Sequence, residues 1–302
     1  MEPQRKAKST VPEKFTADSK IRDVINDPAF GNYGRLLFPV QRNYMQGASL
    51  KTMNLSWYTN ICPDDTVAVV NYLWAQTSAG ETIFHDIYAE EEKLTDQTKR
   101  DTGLFLFRGT PGGKVAILVA GGGFRYVGAM HDSFPHALAL SRKGIHAFAL
   151  IYRPGGETIC QDLARAIAFI HENATALQVD ISGYSLWGGS AGARSAAIVG
   201  SLGTAHFGEK KYPRPAAIIM QYTGFADIYG NEPPTYSCAG ANDGAGLRRI
   251  MRQRTETIRR NGTDAEFEVF DGLSHGFGSG TGTAAEGWIN RAVRFWKKQT
   301  NT

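Results

Sequence analysis

Tyr184-Ser185-Leu186-Trp187-Gly188-Gly189-Ser190-Ala191-Gly192 is an apolar run that stops at a Gly-x-Ser-x-Gly pentapeptide, and residues 193–202 continue as a helix-like run. Strand, sharp turn and helix in that succession make the setting of a nucleophile elbow. The glycines have a mechanical reason. Such a turn holds the serine backbone in a strained conformation, and a side chain at either flanking position would collide with the neighbouring strand or helix. The pentapeptide alone is weak evidence, so the surrounding sequence has to decide.

Upstream, Val115-Ala116-Ile117-Leu118-Val119 reads as a buried strand that runs into Ala120-Gly121-Gly122-Gly123-Phe124. Bare glycines at a strand end leave backbone N–H groups free to face a developing oxyanion. Downstream, Pro234–Gly240 leads to Asn242-Asp243, and Phe267–Phe270 leads to His275-Gly276-Phe277. Ser190, Asp243 and His275 each follow a predicted strand, in the chain order of an α/β-hydrolase and unlike that of the chymotrypsin or subtilisin types. In this reading Ser190 is the nucleophile, His275 its base and Asp243 the carboxylate that orients the imidazole. Asp227, after the preceding strand, is the alternative acid; Asp271 reads as a turn residue.

The rest of the chain alternates strands and helices. Strands are expected at residues 66–75, 81–88 and 102–108 as an antiparallel lead-in, then at 114–119, 146–152, 216–222, 234–240 and 265–270. Leu163, Ala166, Ile167, Ile170 and Leu177 recur at helical spacing, and a last helix carries Ala285, Trp288, Ile289, Ala292, Phe295 and Trp296. Alternation of this kind implies an α/β fold with a mostly parallel central sheet covered on both faces by helices. Residues 1–16 are polar and expected to be disordered. Residues 17–60 form an aromatic-rich N-terminal extension and candidate cap, and 61–302 form the catalytic domain.

Composition narrows the function classes. The 302 residues include 42% hydrophobic residues, enough for one large core. The net charge of +4 is mild, and the arginines at 248, 249, 252, 254, 259 and 260 fall beside Leu247, Ile250, Met251 and Ile258, as on a solvated helix face. Nucleic acid is therefore not expected as a partner. Three scattered cysteines, Cys62, Cys160 and Cys238, suggest neither a disulfide framework nor a zinc ribbon. No apolar stretch is long enough to span a bilayer, and Met1–Lys6 lead into no apolar signal region. A cytoplasmic protein is the expectation.

Cofactor motifs are lacking too. His171-Glu172 has Thr175 where a second zinc-binding histidine would stand, and Tyr126 occupies the third glycine position of a dinucleotide fingerprint. Neither a metal nor a cofactor is expected. His131 and His136 read as helix-surface residues.

The chain resembles the α/β-hydrolase fold serine esterases, in particular the hormone-sensitive-lipase-like and carbohydrate-esterase-like group of acetylxylan and short-chain carboxylesterases. The resemblance rests on Ala120–Phe124, Tyr152-Arg153-Pro154, Asp162–Ala166, Gly188–Gly192 and His275–Phe277, and covers roughly Thr66 to Lys298. It implies hydrolysis of a small-molecule or carbohydrate ester, with oxyanion donors at Gly122, Gly123 and Ala191. Phe124, Arg125, Tyr126, Phe38 and Tyr44 are candidate substrate contacts. A peptidase of the same fold and a non-catalytic binding protein are the alternatives. One departure stands out: Ala120 replaces the histidine that in the family is thought to buttress the oxyanion loop.

Overall fold

Uninterrupted apolar runs suit strands that are covered on both faces, and those of this chain build the centre of one sheet. In the computed structural model, which describes residues 13–39 and 47–300, the strands are β1 Phe84–Asp86, β2 Gly103–Phe107, β3 Lys114–Val119, β4 His146–Ile151, β5 Asp180–Gly189, β6 Ala217–Gln221, β7 Thr235–Gly240 and β8 Ala265–Phe270. All six residues of β4 and the last five of β3 are buried. Among the described residues the sheet order is β1-β2-β4-β3-β5-β6-β7-β8. β1 and β2 are antiparallel additions, and every pairing from β4 to β8 is parallel. With helices packed around the sheet, this is an α/β-hydrolase fold.

The helices are α1 Ile21–Ile25, α2 Pro63–Ser78, α3 Glu90–Thr95, α4 Ala129–Asp132, α5 Phe134–Ser141, α6 Gly156–Leu177, α7 Ala191–Leu202, α8 Ala245–Arg260 and α9 Trp288–Thr300. Parallel strands place all their C-terminal ends on one edge. The loops leaving β3, β5, β7 and β8 therefore emerge together, carrying Gly121–Gly123, Ser190, Asp243 and His275.

Three parts of the lead-in differ from the sequence reading. Residues 66–75 are helical, within α2, not a strand. Pro63 opens the helix, Asp64 and Asp65 occupy its first turn, and Thr66, Val69, Val70 and Leu73 are buried at helical spacing. Thr66, Val67, Val69 and Val70 favour a strand by residue type, but the 3.6-residue period decides. Of residues 81–88 only Phe84–Asp86 pair, as the sheet's edge. Phe15, expected in the disordered stretch, is buried.

The expectation of a solvated arginine face on α8 also fails at one position. Arg254 is 4% exposed, while Arg249, Arg252, Arg259 and Arg260 are exposed. Arg254 sits three residues from Met251 and four from Ile258, on the inner stripe of the helix. Among the described residues no helix is long and apolar enough to cross a membrane.

The N-terminal extension packs on the antiparallel end of the sheet. Tyr33 stacks on Phe84 at 5.6 Å and meets Phe105 edge-on at 5.9 Å. Phe30, Leu36, Leu37, Leu50 and Leu55 join the main core. Its start is tied to α2 by Asn71, whose Oδ1 accepts from the backbone N–H of Lys14 and Phe15 and whose Nδ2 donates to the Phe15 carbonyl. Replacing Asn71 by alanine strands these backbone groups in a buried place. The expected loss of stability is roughly 3 kcal/mol in denaturant unfolding, and a change under about 0.5 kcal/mol would refute the anchor.

Candidate active site

Ser190 stands between β5 and α7 with φ +51° and ψ −115°, a conformation L-residues rarely adopt. The turn is tight on both sides. A Cβ on Gly188 would lie 2.5 Å from the Gly192 carbonyl oxygen, and one on Gly192 would collide with the Val119 carbonyl. Ser190 is anchored by its own N–H, which donates to the Gln221 carbonyl at 3.0 Å. Its Oγ lies 3.1 Å from His275 Nε2, and His275 Nδ1 lies 2.9 Å from Asp243 Oδ1. A carboxylate can only accept, so Nδ1 carries the proton and Nε2 is left to accept from the serine hydroxyl.

The other predicted positions separate into groups. Among the described residues, the backbone N–H groups of Gly122, Gly123 and Ala191 donate to no protein acceptor. An open cavity of about 410 Å³ is lined by Gly123, Phe124, Ser190, Ala191 and the segment 223–227. Asp227 lines that cavity and lies outside the His275–Asp243 pair. Arg125 is exposed away from the cavity lining, and Tyr126 is fully buried with its hydroxyl donating to the Ser56 carbonyl. Phe38 lines a different cavity, with Tyr152 and Arg153, because residues 36–39 follow the antiparallel side of the sheet. Tyr44 lies outside the described residues.

His131 and His136 are buried, not on a helix surface. The last helical segments before β4 wedge between the sheet and the loop after β8. His131 Nε2 donates to the Gly276 carbonyl at 2.8 Å, and His136 packs edge-on against Trp288 at 5.4 Å. Burial pushes both imidazoles down to about 4, so they are neutral near pH 7.

The residue that sequence reasoning missed is Asp132. Its carboxylate is buried and accepts from the Gly121 N–H at 2.6 Å, from Tyr58 Oη at 3.0 Å and from Tyr222 Oη. It also sits where a Cβ on Gly189 would be, so it lies between the glycine loop and the elbow. Tyr152 Oη adds a bond to the Ala120 carbonyl at 2.7 Å. Together these groups brace the glycine loop that begins at Ala120. No local signal marks Asp132, since its partners come from residues 58, 121 and 222.

The extension reaches the site at Trp57–Thr59. Trp57 stacks on Tyr126 at 6.0 Å, and a Cβ on Gly123 would lie 2.7 Å from its ring. Thr59 donates its hydroxyl to the His275 carbonyl at 2.7 Å and its N–H to the Gly276 carbonyl at 3.0 Å. One short segment thus touches the glycine loop, Asp132 and the histidine loop.

The BD-FAE family model, an α/β-hydrolase esterase family, matches residues 109–232. That span includes the glycine loop and the elbow, and ends before Asp243 and His275. A propionate-bound esterase, Est2, from the Planctomycetes species Thermogutta terrifontis superposes with a TM-score of 0.60 at 18% identity, covering 71% of this chain and 93% of that one. The same esterase phosphoramylated by tabun gives 0.58 at 18%, with the same coverage. MGS-M1, an α/β hydrolase enzyme from a Medee basin deep-sea metagenome library, gives 0.54 at 18%, covering 67% of this chain and 93% of that one. No curated protein matches the chain.

Asp132 supports a prediction of its own. Burial raises its carboxyl from 3.8 to about 6, against the opposing pull of its hydrogen bonds. A raised folded value means that its contribution to stability is full below the unfolded value and is lost as pH rises through about 6. Asparagine does not titrate, so the stability of wild type relative to Asp132→Asn should fall between pH 4 and 7. The amide would also face donors with a donor, and turnover should drop about a hundredfold. A pH-independent difference with unchanged turnover would contradict this role.

Proposed function

We propose that the protein is a serine carboxylesterase that hydrolyses short-chain carboxylic esters through an acyl-enzyme. The observation that carries this reading is the 3.1 Å and 2.9 Å relay from Ser190 through His275 to Asp243. Gly123 and Ala191 line the same cavity as Ser190, and their N–H groups, like that of Gly122, have no protein acceptor among the described residues. Ser190 Oγ attacks the ester carbonyl carbon while its proton passes to His275 Nε2. The carbonyl oxygen becomes an oxyanion held by the amides of Gly122, Gly123 and Ala191. The C–O bond to the alcohol then breaks, and the alcohol oxygen leaves with the proton from His275. Water attacks the acyl-enzyme in the same way, with His275 again taking the proton and returning it to Ser190.

Asp243 is the acid of this relay, being 8% exposed and held beside the imidazole. Tyr222 packs against the same ring at 5.0 Å and limits its rotation. The open cavity beside Ser190 admits a short acyl group, and acetyl esters of alcohols or sugars are the substrates that the resemblance favours. Trp57, half exposed above Gly123, is the part of the extension that would wall the substrate, in place of Phe38.

Three substitutions test the reading. Ser190→Ala should lower turnover of nitrophenyl acetate by at least about 10⁴-fold with thermal stability retained. Asp243→Asn should cost about 10³–10⁴-fold, and Asp227→Asn far less. If Asp227→Asn proved the more damaging of the two, the acid would be misplaced.

A further inference from the structure

Arg194 is exposed one helical turn after the nucleophile, its N–H donating to the Ser190 carbonyl at 3.2 Å. Four residues of helix place it about 6 Å further along the axis of α7. Its guanidinium lies over two rings of the cavity wall, 5.8 Å from Phe124 and 5.6 Å from Phe225. Among the described residues it makes no ion pair and no side-chain hydrogen bond. Ring stacking uses the faces of a guanidinium and leaves its N–H edge free for a planar acceptor.

Phe225 meets a second guanidinium. Arg254, buried in α8, lies 5.4 Å from the centroid of the same ring and donates to the Asp227 carbonyl at 3.3 Å. It has no carboxylate within ion-pair distance among the described residues, since the nearby Glu232 accepts from the N–H groups of Tyr229 and Gly230. Arg194 thus rests against a ring that is buried and held in the cavity wall, which limits how far it must be ordered when a ligand arrives.

Ser190, Arg194 and Asp227 line one cavity, and its lining omits His275. The leaving alcohol must reach His275 Nε2 to be protonated. The group that enters this cavity is hence the one that stays on Ser190. We propose that Arg194 is a specificity residue that binds a carboxylate at the far end of a short acyl group, making half-esters of small dicarboxylic acids the favoured substrates. This rests on the esterase reading above and deepens it. Asp227, exposed on the same cavity, opposes the anion and sets how strong the preference becomes.

The test follows ethanol release from monoethyl succinate, ethyl butyrate and ethyl 4-aminobutyrate, which share an alcohol and differ in the charge of the acyl end. Wild type should favour monoethyl succinate over ethyl butyrate about tenfold in kcat/KM, the scale of one charge-assisted hydrogen bond in a half-open site. Arg194→Gln should bring that ratio to about one, mainly through KM, and Arg194→Lys should keep part of it. Asp227→Asn should raise the ratio severalfold. A wild-type ratio near one, a preference for the aminobutyrate, or a ratio unmoved by Arg194→Gln would overturn the proposal. Failure of the parent reading looks different: ethyl butyrate would show no Ser190-dependent hydrolysis at all.

Discussion

The buried carboxylate of Asp132 holds the site's separate pieces in one arrangement. An ionised group so far from water is tolerated only where hydrogen bonds replace its hydration. Here the replacements are the Gly121 N–H and two tyrosine hydroxyls, from Tyr58 and Tyr222. Each donor belongs to a different part of the machinery: the glycine loop after β3, the N-terminal extension, and the segment after β6 that also packs on His275. Satisfying one charge therefore fixes three loops at once. A loop with Ala120 at its start gains its brace from the helix that follows it.

Preorganisation of this kind matters because amides act on a developing oxyanion only if they need not move to meet it. Around Gly122 and Gly123 the freedom to move is small. Tyr152 bonds the Ala120 carbonyl beneath the loop, and Trp57 covers Gly123 from above. The same extension continues into Thr59, which holds the carbonyls of His275 and Gly276. Loops that leave two different strands, β3 and β8, are thus tied by a segment more than fifty residues upstream of either. The extension is part of the site's frame, and it is anchored through Asn71 and the aromatic contacts of Tyr33.

Much of this was legible in the sequence where the cause is local. β3 and β8 run over the expected residues, because apolar runs bounded by turn formers specify strands directly. The elbow was readable from its glycines, whose absence of Cβ is what the tight packing requires. The misreadings share a cause. In α2, β-branched residues raised strand propensity while tertiary packing used their helical spacing. His131, His136 and Arg254 have polar types that usually face water, yet each lies on the inner side of its element. Asp132 and Tyr58 meet across 74 residues, and no local pattern announces such a pair.

The most direct measurement is to trap the covalent intermediate. Rapid acid quenching of the enzyme during turnover of nitrophenyl acetate, followed by peptide mass mapping, should find one acetyl group per chain, on the peptide containing Ser190. The amount of acetyl-enzyme should match the initial burst of nitrophenol. Turnover with no covalent adduct, or an acetyl group carried by a different residue, would contradict the account.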